Sequence, residues 1–322
     1  MFFFKTNFER EQRQLCKKAG YAVHPTDKGL WARHKSHPEG YRFTLPESYI
    51  STLKKGGATE ADIDLTVQGW FGISEGTNFE LSQLIPAVKC GLSNSKVDFA
   101  KVGLTFLPHF NANAYVGSGF ALLHAPLVFS LDWMGTFGYA LNVLRPIAHH
   151  DPKFPPMIEC IEQSVSKILD FVCGLEPWTG PQISQVVKVH NDALGPDERW
   201  ARTGYDVAAT QRIWILLHEF GHLLFGHGRA VGKDAWRQEF EADAFATQNV
   251  EAIVDNAGHV SEVPAEVAVP LLFDVLEAAD TRDPRKSATH PPASARRERI
   301  QAATPHWQSW GAGPDDSPFK NL

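Results

Sequence analysis

HEFGHLLFGHG, running from His218 to Gly228, decides how this chain is read. It contains the pattern H-E-x-x-H as His218, Glu219, Phe220, Gly221 and His222. Residues four apart lie on one face of a helix, so His218 and His222 can offer imidazole nitrogens to a single metal ion. Glu219 stands one step along, where a carboxylate can take a proton from water activated by that ion. The run that leads in, TGYDVAATQRIWILL, supports a helix. Ile213, Leu216, Leu217, Phe220, Leu223 and Leu224 have the i, i+3, i+4, i+7 spacing of one buried stripe. Asp206 is the expected N-cap, and Gly226 with Gly228 the expected stop.

Two histidines do not complete a catalytic zinc site, which needs a third protein ligand and keeps a fourth position for water. The next helical stretch, Asp234 to Val254, supplies candidates in Glu239, Glu241 and Asp243. Glu239, 17 residues after His222, fits the third ligand. Asp243 is four residues further on and shares its face, so it can orient a ligating histidine through the other ring nitrogen. Glu241 falls about 200° around the helix from Glu239. Ala242, Ala244 and Ala246 are small enough to let the two helices approach closely.

Before the motif, Lys101 to Trp133 reads as strands joined by a tight Gly117-Ser118-Gly119 turn, with helical spacing from Leu127 to Leu144. That order lets an extended substrate pair with a sheet edge above the metal. Residues 150–204 hold one clear helix, MIECIEQSVSKILDFVCG. The turn-rich segments PWTGPQISQ and NDALGPDERW follow it, and the whole is expected to be an insertion packed over the catalytic part. After the acidic helix comes VPAEVAVPLLFDVLEAAD, also amphipathic, and then THPPASARRERI. His290 and Arg296 or Arg297 of that last stretch are placed to serve as oxyanion or substrate-carboxylate partners.

Composition narrows the classes. The 322 residues carry a net charge of −6, no footprint for nucleic acid. Cys16, Cys90, Cys160 and Cys173 form no C-x-x-C pair and read as reduced thiols of a cytoplasmic protein. The longest apolar run, Gly119 to Leu131, is too short to span a bilayer, and MFFFKTNFEREQRQ, three phenylalanines followed by charges, does not read as a secretory signal.

HEFGH, then EFEADAFA, then THPPASARRERI together resemble the gluzincin metallopeptidases of the CAAX prenyl protease and HtpX-type group. NANAYVGSGF, Asn111 to Phe120, is similar to that group's N-A-x-A strand and glycine turn. HEFGHLLFGH also resembles the soluble ImmA/IrrE-type and Lit-type peptidases, which cleave particular intracellular proteins. The H-E-x-x-H-x-x-G-x-x-H pattern of the metzincins is not met, since Gly228 stands where its last histidine would be. The resemblance implies zinc on His218, His222 and Glu239, Glu219 as base, and Asp243 in support. It further implies Asn113, Ala114 and Tyr115 at the substrate, with His290 and Arg296 as transition-state partners; Tyr115 is an alternative candidate to stabilise the oxyanion. The expected fold is α+β and zincin-like, mostly helical, with a small mixed sheet whose edge strand lines the cleft and no transmembrane helix. The expected division is an N-terminal region over 1–100, a catalytic domain over 101–303 and a tail over 304–322.

The expected function is zinc-dependent hydrolysis of peptide bonds in an intracellular protein substrate. The alternative is an inactive zincin-fold binding or sensor protein with structural zinc, His227 supplying the fourth ligand.

Overall fold

A computed structural model describes residues 47–64, 66, 103–107, 114–117, 120–175, 180–195, 198–228, 232–256, 263–283, 290–307 and 319. Most of the expected N-terminal region, most of the tail and Asn113 lie outside them. In chain order the elements are α1 (Glu47–Lys55), β1 (Gly103–Leu107), β2 (Ala114–Gly117), β3 (Phe120–His124) and α2 (Ala125–Ile147). Six helices follow: α3 (Phe154–Val172), α4 (Gly180–Leu194), α5 (Glu198–Leu224), α6 (Lys233–Asn256), α7 (Ala265–Arg282) and α8 (Ala293–Ala303).

The expected α+β class is corrected: the fold is helical. An α+β class requires a sheet that forms one wall of the core, and here helices bury one another. Trp214, Leu217 and Phe220 of α5 share one apolar cluster with Phe137 and Leu141 of α2, Ile161, Val165 and Leu169 of α3, Val250 and Ile253 of α6, and Leu272 and Phe273 of α7. The strands are four or five residues long. β3 pairs parallel with β1 and antiparallel with β2, with Gly117 opposite Phe120 across the turn. Ala114 of β2 packs against the helical cluster. No helix among the described residues is long and apolar enough to cross a membrane.

The helix carrying His218 and His222 is longer than its sequence suggests. α5 begins at Glu198, so Asp206 lies inside it and is not its N-cap. The reason is Gly204, which in isolation reads as a weak point in a helix. Here it is a contact: a Cβ on Gly204 would overlap Thr136 of α2, and a Cβ on Gly135 would come within 2.8 Å of the Gly204 carbonyl. The two helices touch backbone to backbone, and packing overrides propensity. Arg212 of α5, nearly inaccessible to solvent, pairs with Asp132 of α2 along the same seam.

The segments expected to be turns around 177–200 also differ, because α4 occupies most of them. Pro181 sits in its first turn, where a missing N–H costs nothing, and Gly195 ends it in the left-handed region at φ +70°. α3 likewise opens on Pro155 and Pro156.

A candidate metal centre between two helices

Packing between α5 and α6 places the site. At the crossing, Gly221 of α5 faces Ala242 of α6 so closely that a Cβ on Gly221 would lie 3.0 Å from the Ala242 Cα. Ala242 and Ala246 are fully buried in this seam. Small residues on both helices therefore bring the side chains of His218, His222 and Glu239 to one point.

His218 Nε2 and His222 Nε2 lie 3.1 Å apart. Glu239 Oε2 is 3.4 Å from the first and its Oε1 is 3.5 Å from the second. Four ligands held tetrahedrally at about 2.0–2.1 Å are separated by about 3.3–3.4 Å, and the contacts of the two imidazoles with each other and with the Glu239 carboxylate are close to that spacing. The three residues form a group that could hold a metal ion. Two imidazole nitrogens facing each other at this distance present lone pairs that repel unless a proton or a cation lies between them, and the carboxylate adds negative charge at the same point.

Each histidine is held from behind. His218 Nδ1 lies 2.9 Å from Asp243 Oδ1. Asp243 in turn accepts two hydrogen bonds from Arg296, from Nε at 2.8 Å and Nη2 at 2.6 Å. Trp214, whose indole N–H donates to Thr247 Oγ1 at 3.2 Å, stacks on the His218 ring with centroids 5.6 Å apart. On the other side, His222 Nδ1 lies 2.9 Å from His227 Nδ1, and His227 Nε2 lies 2.9 Å from Glu241 Oε2. His227 reaches this position through the end of α5. Gly226 takes φ +63°, the His227 N–H donates to the His222 carbonyl, and the Gly226 N–H donates to the Leu223 carbonyl. That double bond pattern is the Schellman stop.

The charges follow from this packing. Burial pushes the His218 ring down, but the hydrogen bonds to Asp243 and Glu239 outweigh it and lift the ring to about 9. The site thus favours positive charge at His218, which a metal cation also supplies. His222, pushed down by burial and by the charge on His218, falls to about 4. Burial works to raise Glu239, yet its hydrogen bond to His218 holds it at about 2. For Glu219 burial outweighs the opposing charge on His218 and raises the carboxyl to about 7. Burial also opposes ionisation of Asp243, but Arg296 and His218 more than offset it and hold the carboxyl below its ordinary value.

The remaining expected residues are placed unevenly. His290 stands on the rim, more than half exposed, with Nδ1 3.2 Å from Glu239 Oε1. Of the arginines on α8, Arg296 turns to Asp243, Arg297 pairs with Asp274 of α7 at 2.5 Å, and Arg299 lies over the Phe240 ring at 4.2 Å. Ala114 and Tyr115 fall on β2, which contacts α5. A closed structural site would need a fourth protein ligand. His227 does not point that way, because both of its nitrogens are directed at His222 Nδ1 and Glu241. Sequence reading missed this His227–Glu241 contact. His227 follows the end of α5 and Glu241 lies well inside α6, so their meeting depends on the turn at Gly226, and spacing alone carries no sign of it.

A family model, Peptidase U49, matches residues 187–308. The match supports a peptidase. It runs from within α4 to just past α8 and so covers His218, Glu219, His222, Glu239, Asp243, His290 and Arg296. No curated protein and no solved structure matches the chain.

Proposed function

We propose that this chain is a zinc-dependent endopeptidase that hydrolyses peptide bonds of a protein substrate in the cytoplasm. The observation that carries the reading is the convergence of His218 Nε2, His222 Nε2 and the Glu239 carboxylate on one point beside a buried Glu219. A zinc ion held there supplies Lewis acidity, acidifying water and polarising a peptide carbonyl. Two nitrogens and one oxygen leave room for solvent or substrate, as a catalytic rather than a structural zinc site requires.

Glu219 is the proposed base. Burial lifts its carboxyl toward neutral pH, where it can accept a proton from the attacking water and return it to the leaving amine. His290 is the proposed oxyanion partner, since its exposed ring stands at the rim of the site beside Glu239. Tyr115 is a second candidate for that role, and Asn113, Ala114 and Tyr115 are proposed to contact the substrate. Arg296 acts through Asp243, keeping that carboxylate aligned on His218. Likeness to the CAAX prenyl protease and HtpX-type group favours a metallopeptidase, and likeness to the soluble ImmA/IrrE-type and Lit-type peptidases favours a dedicated protein substrate.

The test compares wild type with Glu219→Gln in metal content and in cleavage of casein and a proteome-derived peptide library. Wild type is expected to lose cleavage with a chelator and regain it with zinc. The variant is expected to keep zinc while its turnover falls by about 10²–10⁴-fold. Cleavage by the variant at the wild-type rate would reject Glu219 as base, and a zinc-free wild type would reject the metal.

A further inference from the structure

We infer that His227 and Glu241 form a hydrogen-bonded chain that sets the tautomer of His222 and so makes its Nε2 available as a ligand; this rests on the metal-site reading above. Glu241, an ionised carboxylate, can only accept, so His227 Nε2 at 2.9 Å from Oε2 carries the proton. A neutral His227 then has only a lone pair on Nδ1. His222 Nδ1, 2.9 Å away, must donate to it. The neutral His222 ring therefore keeps its own lone pair on Nε2, the nitrogen that faces His218 and Glu239.

The reverse polarity gives no ligand. It would require His227 to be doubly protonated and would put the remaining His222 proton on Nε2, 3.1 Å from the opposing imidazole nitrogen, where it could not ligate. The His227 side chain is 6% exposed, and the two rings meet nearly edge to face at 71°. The backbone holds this arrangement in place, since the left-handed Gly226 and the His227 N–H to His222 carbonyl bond fold the chain back on the ring it supports. His227 is thus a positioning residue, one step removed from the ion. It does for His222 what Asp243 does for His218.

Two readouts test this, neither of which is turnover. In metal-free protein, ¹⁵N NMR of the histidine rings is expected to show His222 as the Nδ1–H tautomer in wild type and as a mixture in His227→Ala. In competition against a chromophoric chelator, His227→Ala is expected to bind Zn²⁺ about 10–100-fold more weakly than wild type. His227→Gln, whose side-chain carbonyl can accept the same bond, should recover most of the loss. Equal zinc affinity in wild type and His227→Ala, or a wild-type His222 found as Nε2–H, would overturn the chain. If wild type binds no zinc yet shows the Nδ1–H tautomer in a His227-dependent way, the metal reading fails and the chain stands. Should His227→Ala not fold, the wild-type spectrum alone decides.

Discussion

His218 and His222 are one helical turn apart and point at the same place, but the regions behind them are built differently. Behind His218 lies a sealed one: Asp243 is 2% exposed and grips Arg296 through two hydrogen bonds, with Trp214 and Phe273 closing around them. Behind His222 lies an open one, in which His227 passes its contact to Glu241, a carboxylate at the surface that also meets Arg237 at 2.8 Å. The difference teaches which contacts hold the fold and which tune the ligand. A buried charge pair is costly to break, because the survivor cannot find water. A chain that ends at the surface can exchange its last partner for solvent.

The largest effect is therefore expected on the sealed side. Asp243→Ala leaves Arg296 buried without its carboxylate and should destabilise the protein by about 3–5 kcal/mol, measured by urea unfolding. Pairing it with Arg296→Met removes the stranded charge and should restore most of that stability. The double variant should nonetheless bind zinc about 10–100-fold more weakly, because His218 has lost its orienting acid. Recovery of metal affinity together with stability would show that Asp243 serves the fold alone and would erase the contrast between the two sides.

The next test acts on the seam that both sides share. Gly221→Val places branched carbons against the Ala242 backbone, already 3.0 Å from a single added Cβ. Backbone cannot rotate away, so α5 and α6 must separate, at a cost of about 1–3 kcal/mol. Separation carries Glu239 away from the imidazoles, so zinc affinity should fall along with the thermal midpoint. A variant that loses stability and keeps its metal would mean that the small-residue contact does not set the ligand spacing.

How much of this could be read from the chain depended on the range of the interaction. His218, Glu219 and His222 are set by one helical period, and Glu239 with Asp243 by another, so the groups that meet at the centre could be picked out from spacing. Small residues at Ala242 and Ala246 pointed to the close helix pair. What spacing could not carry was the packing of one element on another. Asp206 reads as an N-cap, yet α5 runs on before it past Gly204, whose partner is Thr136 on a distant helix. The alternation around Val102, Tyr115 and Phe120 marked strands, but the class turns on which elements bury the core, and long helices do so here. Glu241 was set aside as pointing around the helix from Glu239. It does point there, and His227 comes to meet it because Gly226 reverses the chain.

The smallest effect is expected at the outer end of the open side. Arg237→Ala removes a partner from Glu241 that is itself mostly exposed. Ion pairs of this kind contribute little, since water and salt replace the lost charge. The Glu241 carboxylate keeps its bond from His227, so the chain to His222 is intact, and zinc affinity should change by less than about twofold. Thermal unfolding should match wild type within replicate scatter at both low and high salt. A loss as large as that of His227→Ala would mean that Arg237 holds Glu241 in place against solvent, and that the open side is as tightly built as the sealed one.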